Sequence, residues 1–158
     1  NNGTEIWSYP NTSNAGSFYE IDIDNNNMVY AASRDGVYKI DTEGKLVWLL
    51  DELGTYGVMG LGIDDYGGIY AGGYLSGIVY GINSKGELIW TLDLHNDNIN
   101  SIDVTNEAIL LPHREVKGSF TVLSAPDVKT VPTNITESMI MDESIISSVQ
   151  VDYDSSLT

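Results

Sequence analysis

Two histidines and two arginines, His95, His113, Arg34 and Arg114, are all that this chain has of either residue type. With Lys117 and Asp35 they are its strongest candidates for acid–base or anion-binding chemistry. An imidazole that titrates near neutral pH, set beside guanidinium groups, can hold a sulfate or carboxylate or move a proton at it. The chemistry requires a fold that brings positions 34, 95 and 113 to 117 to one end. The alternative reading is that these are ordinary polar residues of exposed loops. Tyr56 and Tyr74, near expected strand ends, are candidates for stacking on a carbohydrate or meeting a protein, and Tyr66 is a third. No nucleophile–base pair and no metal-ligand constellation stands out, so no catalytic residue and no metal ligand is assigned.

One apparent metal motif has a simpler explanation. Asp22-Ile-Asp-Asn-Asn26 matches the start of a calcium loop, but an EF-hand needs Gly at its sixth position and Glu at its twelfth. Asn27 and Ser33 stand there. The Asn-rich tract reads instead as a hairpin, and the recurring Asp24, Asp64 and Asp152 read as acceptors for turn amides. Neither calcium nor a quinone is supported as a cofactor.

Composition removes further classes. The chain has 158 residues, 42% of them hydrophobic, enough for one domain with a real core. Twenty-three acidic residues against seven Lys and Arg give a net charge of -16, which disfavours nucleic acid and anionic lipid surfaces. No apolar run approaches the ~20 residues of a transmembrane helix. The absence of Cys removes disulfides, thiol catalysis and thiolate metal sites. The lack of an initiator Met leads to the expectation of a processed chain or of one excised from a longer protein. Sequons stand at Asn2, Asn11 and Asn134.

The elements that must position the candidates emerge from a repeat. Ile40-Asp-Thr-Glu-Gly-Lys-Leu-Val-Trp48 returns as Ile82-Asn-Ser-Lys-Gly-Glu-Leu-Ile-Trp90, and its tail occurs as Gly3-Thr-Glu-Ile-Trp7. Trp7, Trp48 and Trp90 are spaced by 41 and 42 residues, a period that belongs to blades or solenoids. Within each unit, four short runs of Val, Ile, Tyr and Trp are separated by turn residues, the pattern of an antiparallel meander. Asp41-Thr-Glu-Gly44 and Asn83-Ser-Lys-Gly86 place an acceptor first and Gly fourth, as a type I turn with a left-handed Gly requires. Leu46 to Leu50 is apolar on both faces, which predicts neighbours on both sides.

The expected fold is therefore an all-β propeller of four-stranded antiparallel blades, about three to four of them, forming a partial ring. Residues 3–10 read as an outer strand, 17–51 and 57–93 as blades, 98–131 as an irregular blade and 144–158 as the start of another. Pro126 and Pro132 bracket the position of the third blade's last strand, and no Trp stands near residue 131. Three ways of completing such a stack stay open: membership in a longer propeller, self-association of half-rings, and a four-bladed ring sealed by Glu5 to Tyr9. In any propeller, the loops between blades and those joining second to third strands share one face. That face would carry Arg34, His95, His113, Arg114 and Lys117.

Gly36-Val-Tyr-Lys-Ile-Asp-Thr-Glu-Gly-Lys-Leu-Val-Trp48 and Gly77 to Trp90 resemble the quinoprotein-type, or PQQ-like, propeller repeat. In that family a Gly-Lys-x-x-Trp ending docks each blade on the next. The resemblance covers residues 3–124, with Lys kept at Lys45 and replaced by Thr4 and Glu87. It implies that Trp7, Trp48, Trp90, Gly44 and Gly86 are structural. Arylsulfotransferases share the repeat and use His and Arg in a central funnel; a quinone-dependent dehydrogenase would need a full ring and calcium. The leading expectation is a non-catalytic scaffold or binding module of a secreted, cell-surface or virion-associated assembly. Its partners would be a protein, further blades of the same or another chain, or a glycan. A propeller enzyme of either kind is the alternative.

Overall fold

The computed structural model describes residues 3–9, 17–51, 53, 54, 56–95, 98–112 and 120–124. His113, Arg114 and Lys117, the asparagines of the three sequons and the segment 144–158 lie outside the described residues. Eleven strands are present: β1 (Phe18–Ile23), β2 (Val29–Ser33), β3 (Gly36–Ile40), β4 (Leu46–Leu50), β5 (Val58–Ile63), β6 (Ile69–Gly73), β7 (Ile78–Ile82), β8 (Leu88–Asp93), β9 (Asp103–Val104), β10 (Ala108–Pro112) and β11 (Phe120–Ser124). They form two four-stranded sheets, β1-β2-β3-β4 and β5-β6-β7-β8, and a three-stranded sheet, β9-β10-β11. Every pairing is antiparallel between sequence neighbours. The three sheets are successive propeller blades.

The outer hairpins follow from their turn residues. Asp41 Oδ1 accepts the amides of Glu43 and Lys45, and Asn83 Oδ1 accepts those of Lys85 and Glu87. The fourth residue closes each turn in the left-handed region, Gly44 at φ 79° and Gly86 at φ 84°. A further register slip stands beyond each turn, between Lys39 and Ile40 opposite Trp48 and Leu46, and between Gly81 and Ile82 opposite Trp90 and Leu88.

These two glycines have a second task. A Cβ on Gly86 would lie 2.8 Å from the Trp48 ring of the preceding blade, and one on Gly44 would lie 3.0 Å from Trp7. Trp48 also donates its Nε1–H to Ser84 O at 3.3 Å. The Gly-x-x-x-Trp phrase is thus a docking device in which Trp7 and Trp48 each lie over the next blade's turn, while Trp90 packs on Gly81 and Tyr70 of its own blade. Residues 3–9 occupy the place of an outer strand beside blade one.

Burial concentrates between sheets. Tyr30, Ala32 and Val37 of blade one pack with Val58, Leu61, Ile69, Ala71, Tyr80 and Ile82 of blade two, with Trp48 and Leu50 at the rim. Tyr70, Val79 and Ile89 of blade two pack with Ile99, Ile102, Ile109, Leu111 and Leu123 of the third blade. Each such fully buried side chain contributes about 2 kcal/mol. Tyr30, Tyr38, Tyr70 and Tyr80 are all buried. The sequence predicts β-structure from Asn100, whereas β9 pairs only at Asp103 and Val104. Ile99 and Ile102 are buried against blade two instead, the former against Gly72.

The far face of blade one differs. Ala31, Tyr38 and Ile40 are covered by Trp7, Tyr9 and Phe18, yet Ile21, Ile23, Val47 and Leu49 are exposed. The apolar character of β4 on both sides is therefore matched by a neighbour on only one side among the described residues.

Candidate functional site

The meander places the β1–β2 and β3–β4 hairpins at one end of each sheet and the second-to-third-strand turns at the other. Arg34, Tyr74, His95 and Tyr56 follow β2, β6 and β8 or precede β5, so the topology carries all four to the end opposite the hairpins. Gly57 brings Tyr56 against the chain at Arg34, since a Cβ there would lie 2.2 Å from Arg34 O. Gly57 O accepts the Tyr74 amide at 3.0 Å. Tyr56, Arg34 and His95 present exposed side chains, and Tyr74 is half-buried. The His95 ring contacts Asp93 of its own strand, Nδ1 lying 3.5 Å from Oδ1.

At the hairpin end the carboxylates are occupied by the fold. Asp24 Oδ1 accepts the Asn26 and Met28 amides at 2.8 and 3.0 Å, and its Oδ2 accepts the Tyr30 hydroxyl at 3.0 Å. Asp64 repeats the arrangement with the amides of Tyr66 and Gly68 and the hydroxyl of Tyr70. Burial first, then the adjacent Asp24 charge, hold the Tyr30 hydroxyl in its protonated, donating form well above the usual phenol range. The apparent calcium loop is thus a hairpin clamp. In the third blade Thr105 takes the place of the Asp, its Oγ1 accepting the Glu107 and Ala108 amides, and Leu110 takes the place of the Tyr. Clamp donor and acceptor are replaced together.

Between these hairpins lies a cleft of about 490 Å³ lined by Asp24, Asn25, Met28, Lys39, Asp65 and Ser84 among others. Lys39 Nζ donates to Ser84 O at 3.2 Å and sits 5.0 Å from the centre of the Tyr30 ring. Burial lowers its pKa, and the Asp24 charge opposes that shift. The lysine therefore acts as a bridge between blades one and two.

One group that sequence reasoning missed is Glu20. Its Oε2 accepts the Leu61 amide at 2.6 Å, and its Oε1 accepts the Ser101 hydroxyl at 3.2 Å. A single carboxylate on β1 thus ties blade one to both following blades. Beside it, Asp22 Oδ2 accepts the Ile63 amide at 3.0 Å. The reason is geometric. β5 is an innermost strand whose amides on that side have no strand partner, and a buried N–H without an acceptor is costly. Desolvation raises the Glu20 pKa despite the bonds from Leu61, Ser101 and Ile102, with the nearby Asp22 charge adding to the rise. The only sequence signal was an acid at positions where blade two has Gly60 and Gly62. Among the described residues, no group of three His, Asp or Glu converges as metal ligands would.

No protein-family model and no curated protein sequence matches the chain. Solved structures do. The RRP9 WD40 repeats superpose with a TM-score of 0.63 at 12% identity, over 72% of this chain and 36% of that one. The Neurospora crassa Pan2 WD40 domain gives 0.56 at 15% identity, over 73% and 34%. BamB from Moraxella catarrhalis gives 0.54 at 18% identity, over 66% and 31%. The chain spans about a third of the length of these structures. Their likeness shows the β-propeller fold.

Proposed function

We propose that this chain is a non-catalytic propeller module that serves as a scaffold and binding platform, belonging to the PQQ-like branch of propeller repeats. The observation that carries the reading is a division of labour between the two ends of the sheets. At the hairpin end and along the inner strands, Glu20, Asp22, Asp24 and Asp64 hold backbone amides and tyrosine hydroxyls in place. At the opposite end Arg34, Tyr56 and His95 are exposed on loops anchored to that frame. Aromatic and Arg side chains on a rigid base are the composition that protein-binding hot spots favour. WD40 domains and BamB support a binding module as the class of function, since they share the fold.

The partner in this reading is a protein or a glycan in a secreted, cell-surface or virion-associated assembly, and His113, Arg114 and Lys117 stay further candidates from the sequence. Arrays of immobilised glycans and peptides probed with the whole chain test it. The expected result is a ligand whose capture is lost in Arg34→Ala/Tyr56→Ala and unaffected by Asn26→Ala at the other end. Ligands that ignore the loop variant, or turnover of an aryl sulfate abolished by His95→Ala, would overturn it.

A further inference from the structure

We infer that the cleft between the β1–β2 and β5–β6 hairpins binds a small zwitterion of the amino acid or dipeptide class, its carboxylate on Lys39 and its ammonium on Asp65. The site lies at the end of the sheets opposite the exposed loops and is separate from the scaffold reading. The cleft volume, about 490 Å³, falls within the ~300 to 1,000 Å³ of small-ligand pockets. Its lining is more polar than such pockets usually have: two asparagines, three aspartates and a lysine face it, with Tyr66 and Met28 as the larger apolar surfaces.

Only part of that polarity is spent by the fold. Asp24 and Asp64 commit both oxygens to turn amides and tyrosine hydroxyls. Asp65 accepts the Asn106 side-chain amide at Oδ2, and its Oδ1 has no hydrogen-bond partner among the described residues. Lys39 Nζ has one acceptor, Ser84 O, and no carboxylate within ion-pair distance among the described residues. An ammonium carries three N–H groups, so two remain for a ligand. Lys39 is half-buried, which makes that deficit costly; burial lowers its pKa although the Asp24 charge opposes the shift.

The signs of the charges select the ligand. A simple anion would meet Lys39 but also three aspartates, on a chain of net charge -16, and a simple cation would meet Asp65 but also Lys39. A molecule that carries both charges answers both groups. Lys39 is half-buried whereas Asp65 and Tyr66 are exposed, so the carboxylate enters first and the ammonium stays beside Asp65, where the Tyr66 ring offers a cation–π surface. The second seam is built otherwise. There Asp65 and Asn106 exchange two bonds, of 2.9 and 2.8 Å, whereas Asn25 reaches Asp65 O through one bond of 3.4 Å. The position of Lys39, opposite Tyr30, is taken in blade two by Gly81, opposite Tyr70, and a Cβ there would lie 2.1 Å from the Trp90 ring. The lysine is therefore a departure from the repeat that the docking of blades does not require.

Calorimetric titration of the whole chain with leucine and glycyl-leucine tests the site against three blocked forms. N-acetyl-leucine keeps only the negative charge, leucine amide only the positive one, and N-acetyl-leucine amide neither. The expected result is saturable binding of leucine or glycyl-leucine, weakened about tenfold or more by blocking either end. Peptides tethered through one end are not ligands of this site. Lys39→Met keeps the apolar stem and Asp65→Asn keeps an acceptor for Asn106; each should lose about the same factor. Asp65 is exposed, so Asp65→Asn decides where Lys39→Met lowers the melting temperature. Bound leucine or glycyl-leucine should also protect Lys39 from acetylation, with the exposed Lys45 and Lys85 as internal references. Arg34→Ala/Tyr56→Ala should bind as the parent does, which keeps failure here distinct from failure of the loop-end reading. No binding at millimolar ligand, equal binding of a singly charged form, or binding indifferent to both variants would each overturn the proposal.

Discussion

The two seams of this stack have the same geometry and different chemistry. Between blades one and two, side chains cross the gap: Glu20 and Asp22 accept amides of β5, and Lys39 and Trp48 both reach Ser84 O. Between blades two and three, the corresponding positions of blade two are Gly60 and Gly62, and the third blade's backbone closes in. A Cβ on Gly62 would lie 2.5 Å from Val104, and one on Gly60 2.9 Å from the Ser101 carbonyl carbon. The first seam is a polar lattice around an apolar centre; the second has the exchange between Asp65 and Asn106 at its hairpin end and is otherwise closed by Ile99, Ser101 and Val104 pressing on glycines. A repeat therefore conserves the spacing between blades and leaves the means of filling it free. The first seam should respond to loss of specific side chains and to pH, and the second to added volume.

The largest expected effect is at the rim of the first seam. Trp48→Ala removes the indole that covers Gly86 and packs on Tyr30, and should destabilise the fold by about 3 kcal/mol in chemical denaturation. An unchanged midpoint would mean that the rim contributes little. In the second seam, Gly72→Val places a branched side chain where a Cβ alone would lie 2.2 Å from Ile99, and should cost about 2 to 3 kcal/mol by overpacking. The equivalent position in blade one is already Ala32, so Ala32→Gly there should cost far less. Equal losses at the two sites would erase the contrast.

Smaller effects sharpen the comparison within a blade. Tyr70→Phe removes the hydroxyl that Asp64 Oδ2 accepts and should cost about 1 to 2 kcal/mol. Asp64→Thr combined with Tyr70→Leu reproduces the Thr105 and Leu110 pair of the third blade. The double variant should be more stable than the sum of its parts, and a double-mutant cycle showing additivity would disprove the coupling.

The smallest effect is titratable. The folded-state pKa of Glu20 is raised above its ordinary value, burial being the main cause. Its stability contribution is therefore complete below the ordinary glutamate pKa and is lost as pH rises through the higher folded value. Glu20→Gln should gain on the parent protein between acid and neutral pH. A pH-independent difference would place the carboxylate in water.

How much of this was legible beforehand depends on the range of the interaction. The hairpins were readable because Asp41 acts with Gly44, and Asn83 with Gly86, within a single four-residue turn. The Trp spacing revealed the blades because the docking device recurs with each unit. The role of Glu20 was hidden, since its partners at Leu61 and Ser101 lie 41 and 81 positions away and nothing local distinguishes it from an exposed acid. The same holds for the short β9: Ile99 and Ile102 look like strand residues but pack on the glycines of blade two. The loop end was legible in topology alone. Which side chains touch there depends on backbone turns, such as the left-handed His95 at φ 54°, that no composition rule anticipates.

The bonds from Glu20 to Leu61, Asp22 to Ile63 and Asp65 to Asn106 each span 41 residues. Seen mechanically, they make the chain a string of equal packets, each latched to the next, with the bond from Ser101 to Glu20 as a longer tie across two of them. Pulled from its ends, such a string yields in steps, one packet at a time. Each step releases about 140 Å of extended chain, from roughly 3.5 Å for each of its 41 residues. Force would find the seams before it found the sheets.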